Sequence, residues 1–257
     1  MDNQQLYNLD ENVRQLLLTA KLGDGHLTTP KNINSNSSYI TNCKHLEYLQ
    51  FKQKILKDLS FEIGKTDKNG FSQTPIYILT SKKHSEITKI RNMSIEETVN
   101  NLDEFGIALW FYDDGSLHNK SFFYNLNTHK FSKDIQEEIF IPFFNKHNIF
   151  PKVTKEVKKD GRVFHYLRIS RFEGSYEISE ILKKYPIKCY SYKVWSSEAS
   201  QRWRKAQACL KSMAIELTNV KIGKLLKFDS IEDMVQSLEK FKASRWYKAR
   251  SHNSDMT

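Results

Sequence analysis

An apolar run that ends in Asp-Gly occurs twice in this chain, and this repeat constrains the fold more than any other feature. The first copy, LLLTAKLGDGHL, covers residues 16–27, and the second, IALWFYDDGSL, covers residues 107–117. Each run is long and apolar enough to form a buried helix, with Gly25 or Gly115 as a suitable C-terminal stop. Two copies at domain-sized spacing indicate that one structural unit occurs twice.

The segments after each run repeat in the same order, which predicts helix, strand, strand, helix, strand, strand and helix in each half. In the first half the elements after the run are strands at 25–29 and 37–42, a helix at 44–59, strands at 61–66 and 75–80, and a helix at 85–90. In the second half they are strands at 116–120 and 122–127, a helix at 133–145, strands at 152–158 and 163–170, and a helix at 175–184. The acidic stretch 96–104 is interpreted as a polar lead-in to the second run. We therefore predict an α+β fold built from two pseudo-symmetric αββαββα halves.

The net charge of the chain favours a polyanionic partner. Lys and Arg number 40 against 30 Asp and Glu, which gives a formal charge of +10 at pH 7. A surplus of this size favours nucleic acid or a membrane surface, although solvated surface lysines alone would also account for it. No window approaches the roughly 18 consecutive apolar residues that a membrane span needs, so we expect a soluble protein that does not bind a membrane.

The cysteines are few and dispersed. Cys43, Cys189 and Cys209 lie far apart, without a C-x-x-C pair or a histidine at metal-ligand spacing. This pattern excludes a fold that is held together mainly by disulfides or by a zinc finger, and it favours a reducing compartment. We expect an intracellular protein, in the cytoplasm of a bacterial or phage-infected host or in an organelle.

A third region, residues 196–257, differs from both halves because its pattern predicts two helices, at 199–217 and 231–243. It is also basic, with 12 Lys and Arg residues against 7 Asp and Glu residues. The predicted domains are residues 1–95 for the first half, 96–195 for the second half and 196–257 for this extension. The extension is expected to be either a helical cap on the core or an auxiliary segment that contacts nucleic acid.

Asp24 and Asp114 end the two apolar runs, where the dipole of a helix disfavours a carboxylate. A divalent cation would offset this cost, because Asp oxygens and nearby backbone carbonyls suit Mg²⁺. If the two helices pack side by side, both carboxylates converge on one spot, which is the geometry for two-metal hydrolysis of a phosphodiester. The alternative is that each Asp-Gly pair only forms a turn, in a basic α+β protein without metal dependence.

These residues resemble the LAGLIDADG homing endonucleases. The strings LLTAKLGDG (17–25) and IALWFYDDG (107–115) look like the two family motifs. NLNTHKFS (125–132) is similar to the strand-to-helix stretch after the second motif, and YSYKVW (190–195) is similar to the string that closes the second half. The resemblance covers about residues 10–195. It depends on both motifs together with the internal repeat and the pair Tyr192-Lys193, which closes the second half.

The resemblance implies that the halves pack through the motif helices and that each presents a curved antiparallel sheet to the DNA major groove. It implies that Asp24 and Asp114 are catalytic and bind the metal, which is Mg²⁺ with Mn²⁺ as a substitute. Gly23 and Asp113 would supply backbone carbonyls to the same metal site. Asp113 is adjacent and acidic, but its helical phase differs from that of Asp24, so Asp114 is the preferred ligand.

The resemblance also implies a basic catalytic residue near each scissile phosphate, which polarises water and stabilises the developing charge. Lys193 is the positional match in the second half. In the first half the match is the segment ITKIRN, where Lys89 and Arg91 compete and Lys89 is the candidate. A solvated surface charge is the alternative interpretation for each of these lysines.

DNA recognition is expected from side chains that alternate along the strands, because the polar face of each sheet must contact base edges. The first-half candidates are Thr28, Lys31, Asn34, Ser38, Asn42, Lys65, Lys68, Gln73 and Lys82. The second-half candidates are His118, Lys120, Asn125, Lys152, Lys155, Lys158, Arg162, His165 and Arg168.

The expected function is therefore a site-specific, metal-dependent double-strand cut in a long, non-palindromic DNA target, made by a monomer during homing of a mobile intron or gene. The alternative on the same scaffold is a nucleic-acid-binding protein that does not cleave, either an intron RNA maturase or a DNA-binding regulator. Intact acids favour the endonuclease but leave a coexisting maturase role open, and the basic segment 240–252 is compatible with added affinity for RNA or DNA.

Overall fold

The computed structural model describes residues 9–30, 32, 35–66, 75–118, 122–212, 233, 236–237 and 240. The chain divides into two compact units. The first comprises residues 1–117 and 124–194, and the second comprises residues 118–123 and 195–257. Both halves of the repeat thus fall almost entirely within the first unit.

The first half is a four-stranded antiparallel sheet with helices. Its elements are α1 (Glu11–Leu22), β1 (His26–Leu27), β2 (Tyr39–Cys43), α2 (Leu46–Leu56) with a 3₁₀ turn (Lys57–Leu59), β3 (Gly64–Thr66), β4 (Ile76–Thr80) and α3 (Ser85–Asn92). The strand order is β1-β2-β4-β3. The predicted elements of this half are present, with β1 and β3 shorter than the sequence pattern indicated.

The second half repeats this arrangement. Its elements are α4 (Ile95–Asn100), α5 (Glu104–Asp114), β5 (Gly115–His118), β6 (Phe123–Leu126), α6 (Lys133–Ile135), a π-helical turn (Gln136–Phe140), α7 (Ile141–Lys146), β7 (Lys152–Val157), β8 (Val163–Ile169), α8 (Phe172–Lys184) and a 3₁₀ segment (Lys188–Lys193). The strand order β5-β6-β8-β7 reproduces that of the first sheet. The prediction of two pseudo-symmetric α+β halves is confirmed.

Helix α4 was not predicted, since its acidic composition suggested only a polar lead-in. It is stabilised by a capping box, in which the Ser94 hydroxyl accepts a hydrogen bond from the Glu97 amide at 3.0 Å. The Glu97 carboxylate accepts one from the Ser94 amide at 2.7 Å. This reciprocal pair satisfies two amide donors at the helix N-terminus. Thr98 and Val99 then anchor the short helix in the core.

The two motif helices, α1 and α5, pack closely against each other. The Thr19 hydroxyl donates to the Gly106 carbonyl across the interface at 3.1 Å. At the C-terminal ends, a methyl group added to Gly23 would lie 3.1 Å from the Cβ atom of Asp113. Gly106 on α5 and Gly23 at the end of α1 therefore permit the close approach that brings the ends of the two helices together.

Lys21 is the basic residue in the last turn of the otherwise buried helix α1. Its ammonium donates to the Arg91 carbonyl at 3.1 Å and to the Met93 carbonyl. Carbonyls at the end of a helix lack partners within that helix. Lys21 thus satisfies carbonyls at the end of α3 and ties that helix to α1.

The second unit contains α9 (Ser197–Ser212), which agrees with the start of the helix predicted in the extension. Trp203 is fully buried, and the ring of Trp195 lies 5.3 Å from that of Phe122. Most of the second predicted helix and the basic segment after residue 240 lie outside the described residues. Among the described residues, no helix is both long enough and apolar enough to cross a bilayer.

The glycines after the motif helices are required by close contacts. Helix α1 ends at Leu22 with Gly23 as its C-cap, two residues before the predicted stop. A Cβ atom on Gly25 would lie 2.4 Å from the Cβ and 2.7 Å from the Cα of Ala20. Because one of these atoms is backbone, a side chain at Gly25 would displace the turn that carries Asp24.

We therefore expect Gly25→Ala to reduce the free energy of unfolding by about 1–3 kcal/mol, the usual cost of overpacking. Gly64→Ala is the matched control, because its added methyl group would meet only the Ile78 carbonyl, at 3.9 Å. Urea denaturation of both variants measures the difference. Equal stability of the two variants would contradict the packing argument.

Candidate active site

The structure brings the acids of both motifs to one place. Asp24 follows the C-terminal end of α1, and Asp113 and Asp114 are the last two residues of α5. A Cβ atom on Gly23 would lie 3.1 Å from Oδ2 of Asp114, so the two helix ends are in direct contact. Side-by-side packing of the motif helices thus produces the convergence of Asp24 and Asp114 that the sequence predicts.

Negative charge accumulates at this junction. Burial, followed by repulsion from Asp24 and Asp113, raises the pKa of Asp114 to about 8. Asp24 has an exposed face, yet the surrounding protein and the charge of Asp113 still raise its pKa. Burial is the largest cause of both shifts, so the folded protein disfavours the charged forms of these two carboxyl groups.

Asp113 is neutralised from within the protein. Its Oδ1 accepts hydrogen bonds from Lys52 at 2.7 Å and from the Tyr48 hydroxyl at 2.6 Å. The side chains of Lys52 and Asp113 are each only 2% exposed. Burial opposes the charge of Lys52, but the attraction of Asp113 and Tyr39 outweighs it and raises the pKa of the lysine. The side chain of Asp113 is therefore engaged in a buried ion pair, which leaves Asp114 as the partner of Asp24.

Sequence reasoning missed Lys52, which lies in the middle of the predicted helix 44–59. Tyr48 and Lys52 are four residues apart, so they share one face of α2. That spacing was available in the sequence as a signal. The identity of their partner was not, because Asp113 belongs to the other half of the repeat.

Lys193 lies beneath the end of the second motif helix. Its ammonium donates to the carbonyl of Tyr112 at 2.6 Å and to that of Phe111 at 3.2 Å. Burial lowers the pKa of Lys193 to about 8, against the attraction of Asp113, Asp114 and Asp24. The lysine predicted from the closing Tyr-Lys string is thus part of the cluster of charges.

Lys130 also belongs to this cluster, although sequence reasoning did not single it out. Its ammonium donates to the Gly23 carbonyl at 2.8 Å, at the end of the first motif helix. Burial lowers its pKa, while Asp114, Asp24 and Asp113 act in the opposite direction. The residue stands within NLNTHKFS, the string that follows the second motif, but nothing in that string identifies its contact in the first half.

The two first-half candidates point elsewhere. The Lys89 ammonium pairs with Glu86 at 2.5 Å on an exposed face of α3. The Arg91 guanidinium donates to the side chains of Thr29 at 2.9 Å and of Asn92 at 3.1 Å. The structure therefore places neither residue in contact with Asp24.

The donor groups at the helix ends fit a hard divalent cation. Asp24 and Asp114 offer carboxylate oxygens, and Gly23 offers a carbonyl oxygen now occupied by Lys130. Among the described residues, no group of three or more His, Cys, Asp or Glu residues could hold a metal ion. Mg²⁺ typically uses one or two carboxylates together with water and phosphate oxygens, so two carboxylates suffice.

The second sheet brings several of the predicted DNA-contacting residues together. Arg168 on β8 pairs in register with Asn125 on β6 and with Lys152 on β7. The Arg168 guanidinium donates to Asn125 Oδ1 at 3.1 Å and to the Tyr166 hydroxyl at 2.5 Å. Lys155 pairs with His165 three residues further along these strands, where alternation places their side chains on the opposite face of the sheet. Asn125, Arg168 and Lys152 therefore form a polar row across three strands, without Lys155 and His165.

Other residues predicted to contact DNA bond to neighbouring side chains or lie outside the described residues. The hydroxyls of Thr28 and Ser38 bond each other at 3.1 Å. Lys158 pairs with Glu156 at 2.6 Å, and Arg162 pairs with Asp160 at 2.8 Å. His118 stacks on Phe123, with ring centroids 4.2 Å apart. Asn42, Lys65 and Lys82 are exposed on the first sheet or beside it. The candidates outside the described residues are Lys31, Asn34, Lys68, Gln73 and Lys120.

Comparisons with known proteins agree with this fold. Residues 15–175 match a family model described as the LAGLIDADG DNA endonuclease family. The structure is similar to that of the homing endonuclease I-WcaI bound to its DNA recognition sequence, with a TM-score of 0.59 and 19% identity over 75% of this chain and 89% of that chain. Mesophilic variants of the homing endonuclease I-DmoI align with a TM-score of 0.45 and 16% identity, over 69% of this chain and 98% of that chain. A search of curated proteins finds no match. The family match confirms the resemblance identified from the two motifs.

The raised pKa of Asp114 predicts how the metal-free protein responds to pH. An unfolded Asp titrates near 3.9, whereas the pKa of Asp114 in the folded protein is about 8. Its contribution to stability is thus fully present below about pH 4 and is lost as pH rises to about 8. Asp114→Asn removes this titration. In EDTA, the melting temperature of the wild type should fall relative to that of Asp114→Asn between pH 5 and 8.5. A difference that stays constant with pH would contradict the assignment.

Proposed function

Because the chain belongs to the LAGLIDADG DNA endonuclease family, we propose that it is a site-specific endonuclease that makes a divalent-metal-dependent double-strand cut in DNA. The observation that carries this proposal is the convergence of Asp24 and Asp114 at the paired ends of α1 and α5. Both carboxylates have raised pKa values, which supports a site that is completed by a cation. The biological context we propose is homing of a mobile intron or gene.

In this mechanism Asp24 and Asp114 would hold divalent cations, with Mg²⁺ as the proposed ion and Mn²⁺ as a substitute. When bound, such a cation supplies the charge that activates water for attack on phosphorus and stabilises the leaving oxygen. Lys193 holds its ammonium below the end of α5, where it compensates negative charge on the helix carbonyls. Asp113 is held away from the reacting groups by Lys52 and Tyr48.

DNA binding is supported by charge and by sheet geometry. The chain carries a formal charge of +10, which favours association with phosphates. The polar row of Asn125, Arg168 and Lys152 crosses three strands of the second sheet, and side chains of these types hydrogen-bond to base edges in the major groove. We infer that affinity is strongly salt-dependent, because lysines and arginines supply most of these contacts.

The two halves differ in sequence although they share one topology, and we therefore propose a non-palindromic target bound by a single chain. A symmetric dimer would present identical surfaces to both half-sites, whereas this chain presents different ones. Arg168 and Asn125 lie on the second sheet. In the first sheet, β2 and β4 occupy the corresponding places in the strand order, and they pair Ile40 with Thr80 and Thr41 with Leu79.

Cleavage assays on a DNA library that contains the insertion region of the gene would test the proposal. With Mg²⁺, the wild type should make specific double-strand cuts, and Asp24→Asn and Asp114→Asn should each lower the rate at least about 100-fold. Asp134→Asn is the matched control, because Asp134 is exposed on α6, and it should cut at the rate of the wild type.

Binding in Ca²⁺ buffer separates loss of chemistry from loss of folding. Both acid variants should retain the DNA affinity of the wild type under these conditions. If the wild type binds DNA tightly but never cuts it, the chain is a non-cleaving binder on this scaffold. Undiminished cutting by either acid variant would remove that acid from the mechanism.

A further inference from the structure

We infer that Lys130, a residue of the second half, is the catalytic cation that serves the first motif, so that both active-site lysines come from the second half. This inference rests on the proposed endonuclease function. It replaces the expectation that α3 of the first half supplies that cation through Lys89 or Arg91.

A lysine ammonium donates to a backbone carbonyl near each of the two helix ends. Lys130 donates to the Gly23 carbonyl at 2.8 Å, directly before Asp24. Lys193 donates to the Tyr112 carbonyl at 2.6 Å, two residues before Asp114. Near the end of each motif helix a backbone carbonyl therefore accepts from an ammonium group, and in both cases that group comes from a segment after residue 124.

The first-half candidates do not occupy an equivalent position. The Lys89 side chain is 66% exposed and is paired with Glu86. The Arg91 guanidinium contacts Thr29 and Asn92. The backbone of α3 is itself held to α1, because Lys21 donates to the carbonyl of Arg91. Both side chains are therefore engaged by partners other than Asp24.

The loop that carries Lys130 is firmly held. The amide of Asn127 donates to the Asp114 carbonyl at 3.0 Å, which attaches the start of the loop to the second motif. The fully buried side chain of Gln136 donates to the carbonyls of Thr128 at 3.3 Å and Phe131 at 3.2 Å. The same amide also donates to the His165 carbonyl of β8 at 3.1 Å. Lys130 therefore extends from a fixed base, as a preorganised catalytic group requires.

Three carboxyl groups interact electrostatically with Lys130. Burial lowers the pKa of the lysine, whereas Asp114, Asp24 and Asp113 act in the opposite direction. In the DNA complex, its flexible stem allows the ammonium to donate to a scissile phosphate oxygen next to the Gly23 carbonyl. A charge-assisted hydrogen bond at that point stabilises the negative charge that builds up during attack. Lys130 transfers no proton in this role.

We expect loss of Lys130 to affect one DNA strand more than the other, because the proposed mechanism assigns one scissile phosphate to each helix end. The test uses a supercoiled plasmid that carries the target, with the cut strand identified on a denaturing gel. Lys130→Gln should slow cleavage of one strand by about 100-fold and cleavage of the other by less than about 10-fold, so that nicked circles accumulate.

Lys193→Gln should slow cleavage of the opposite strand. Lys130→Arg keeps the charge and should stay within about 10-fold of the wild type on both strands.

Lys133→Gln is the matched control, because Lys133 is exposed nearby on α6 and pairs with Glu137. It should nick and linearise the plasmid like the wild type. DNA affinity of Lys130→Gln in Ca²⁺ buffer should stay within about 5-fold of the wild type, since one phosphate contact supplies little of the total binding. A large loss of affinity would show that Lys130 anchors DNA instead, and would overturn the inference.

Three further outcomes decide the remaining cases. Equal slowing of both strands by Lys130→Gln would overturn the assignment to the first motif. Strand-selective loss in Lys89→Gln or Arg91→Gln, with Lys130→Gln unaffected, would return the role to α3. If the wild type cuts no DNA, the proposed function is wrong and the inference about Lys130 is wrong with it. If the wild type cuts DNA and Lys130→Gln is equally active, only the inference about Lys130 is wrong.

Discussion

Close packing of α1 against α5 is the contact on which the rest of the site depends. Small residues on both helices allow the approach, and the Thr19 hydroxyl bonds the Gly106 carbonyl across the interface. Because both helices end at the same level, their negative dipole ends and the carboxylates of Asp24 and Asp114 are forced together. The fold thus creates a concentration of negative charge in a place where water cannot fully screen it.

Three lysines interact with this negatively charged cluster in different ways. Lys52 forms a buried ion pair with Asp113, which engages the side chain of that carboxylate and links α2 to α5. Lys193 and Lys130 donate to carbonyls at the ends of α5 and α1. The charged form of Asp114 is still disfavoured, first by burial and then by Asp24 and Asp113, since its pKa rises to about 8. A bound cation would stabilise the charged forms of Asp24 and Asp114, and this is the physical basis of the proposed nuclease activity.

Sequence patterns predicted what depends on local signals. The repeated motifs indicated two halves and side-by-side helices, and alternating apolar residues indicated the strands of both sheets. Helix α4 was missed because its capping box at Ser94 and Glu97 was not weighed against its acidic composition. Lys52 and Lys130 were missed for a different reason. Each contacts the opposite half, and no spacing along the chain encodes a contact between residues separated by 61 or 107 positions.

Locating the metal would test the proposed site. Crystals of the DNA complex grown with Mn²⁺ would give anomalous diffraction that marks each ion. We predict anomalous density at the joined ends of α1 and α5, with carboxylate oxygens of Asp24 and Asp114 as ligands and Asp113 still paired with Lys52. Density that is absent from these helix ends, or that lies on the Asp113 carboxylate after Lys52 has moved away, would contradict this prediction.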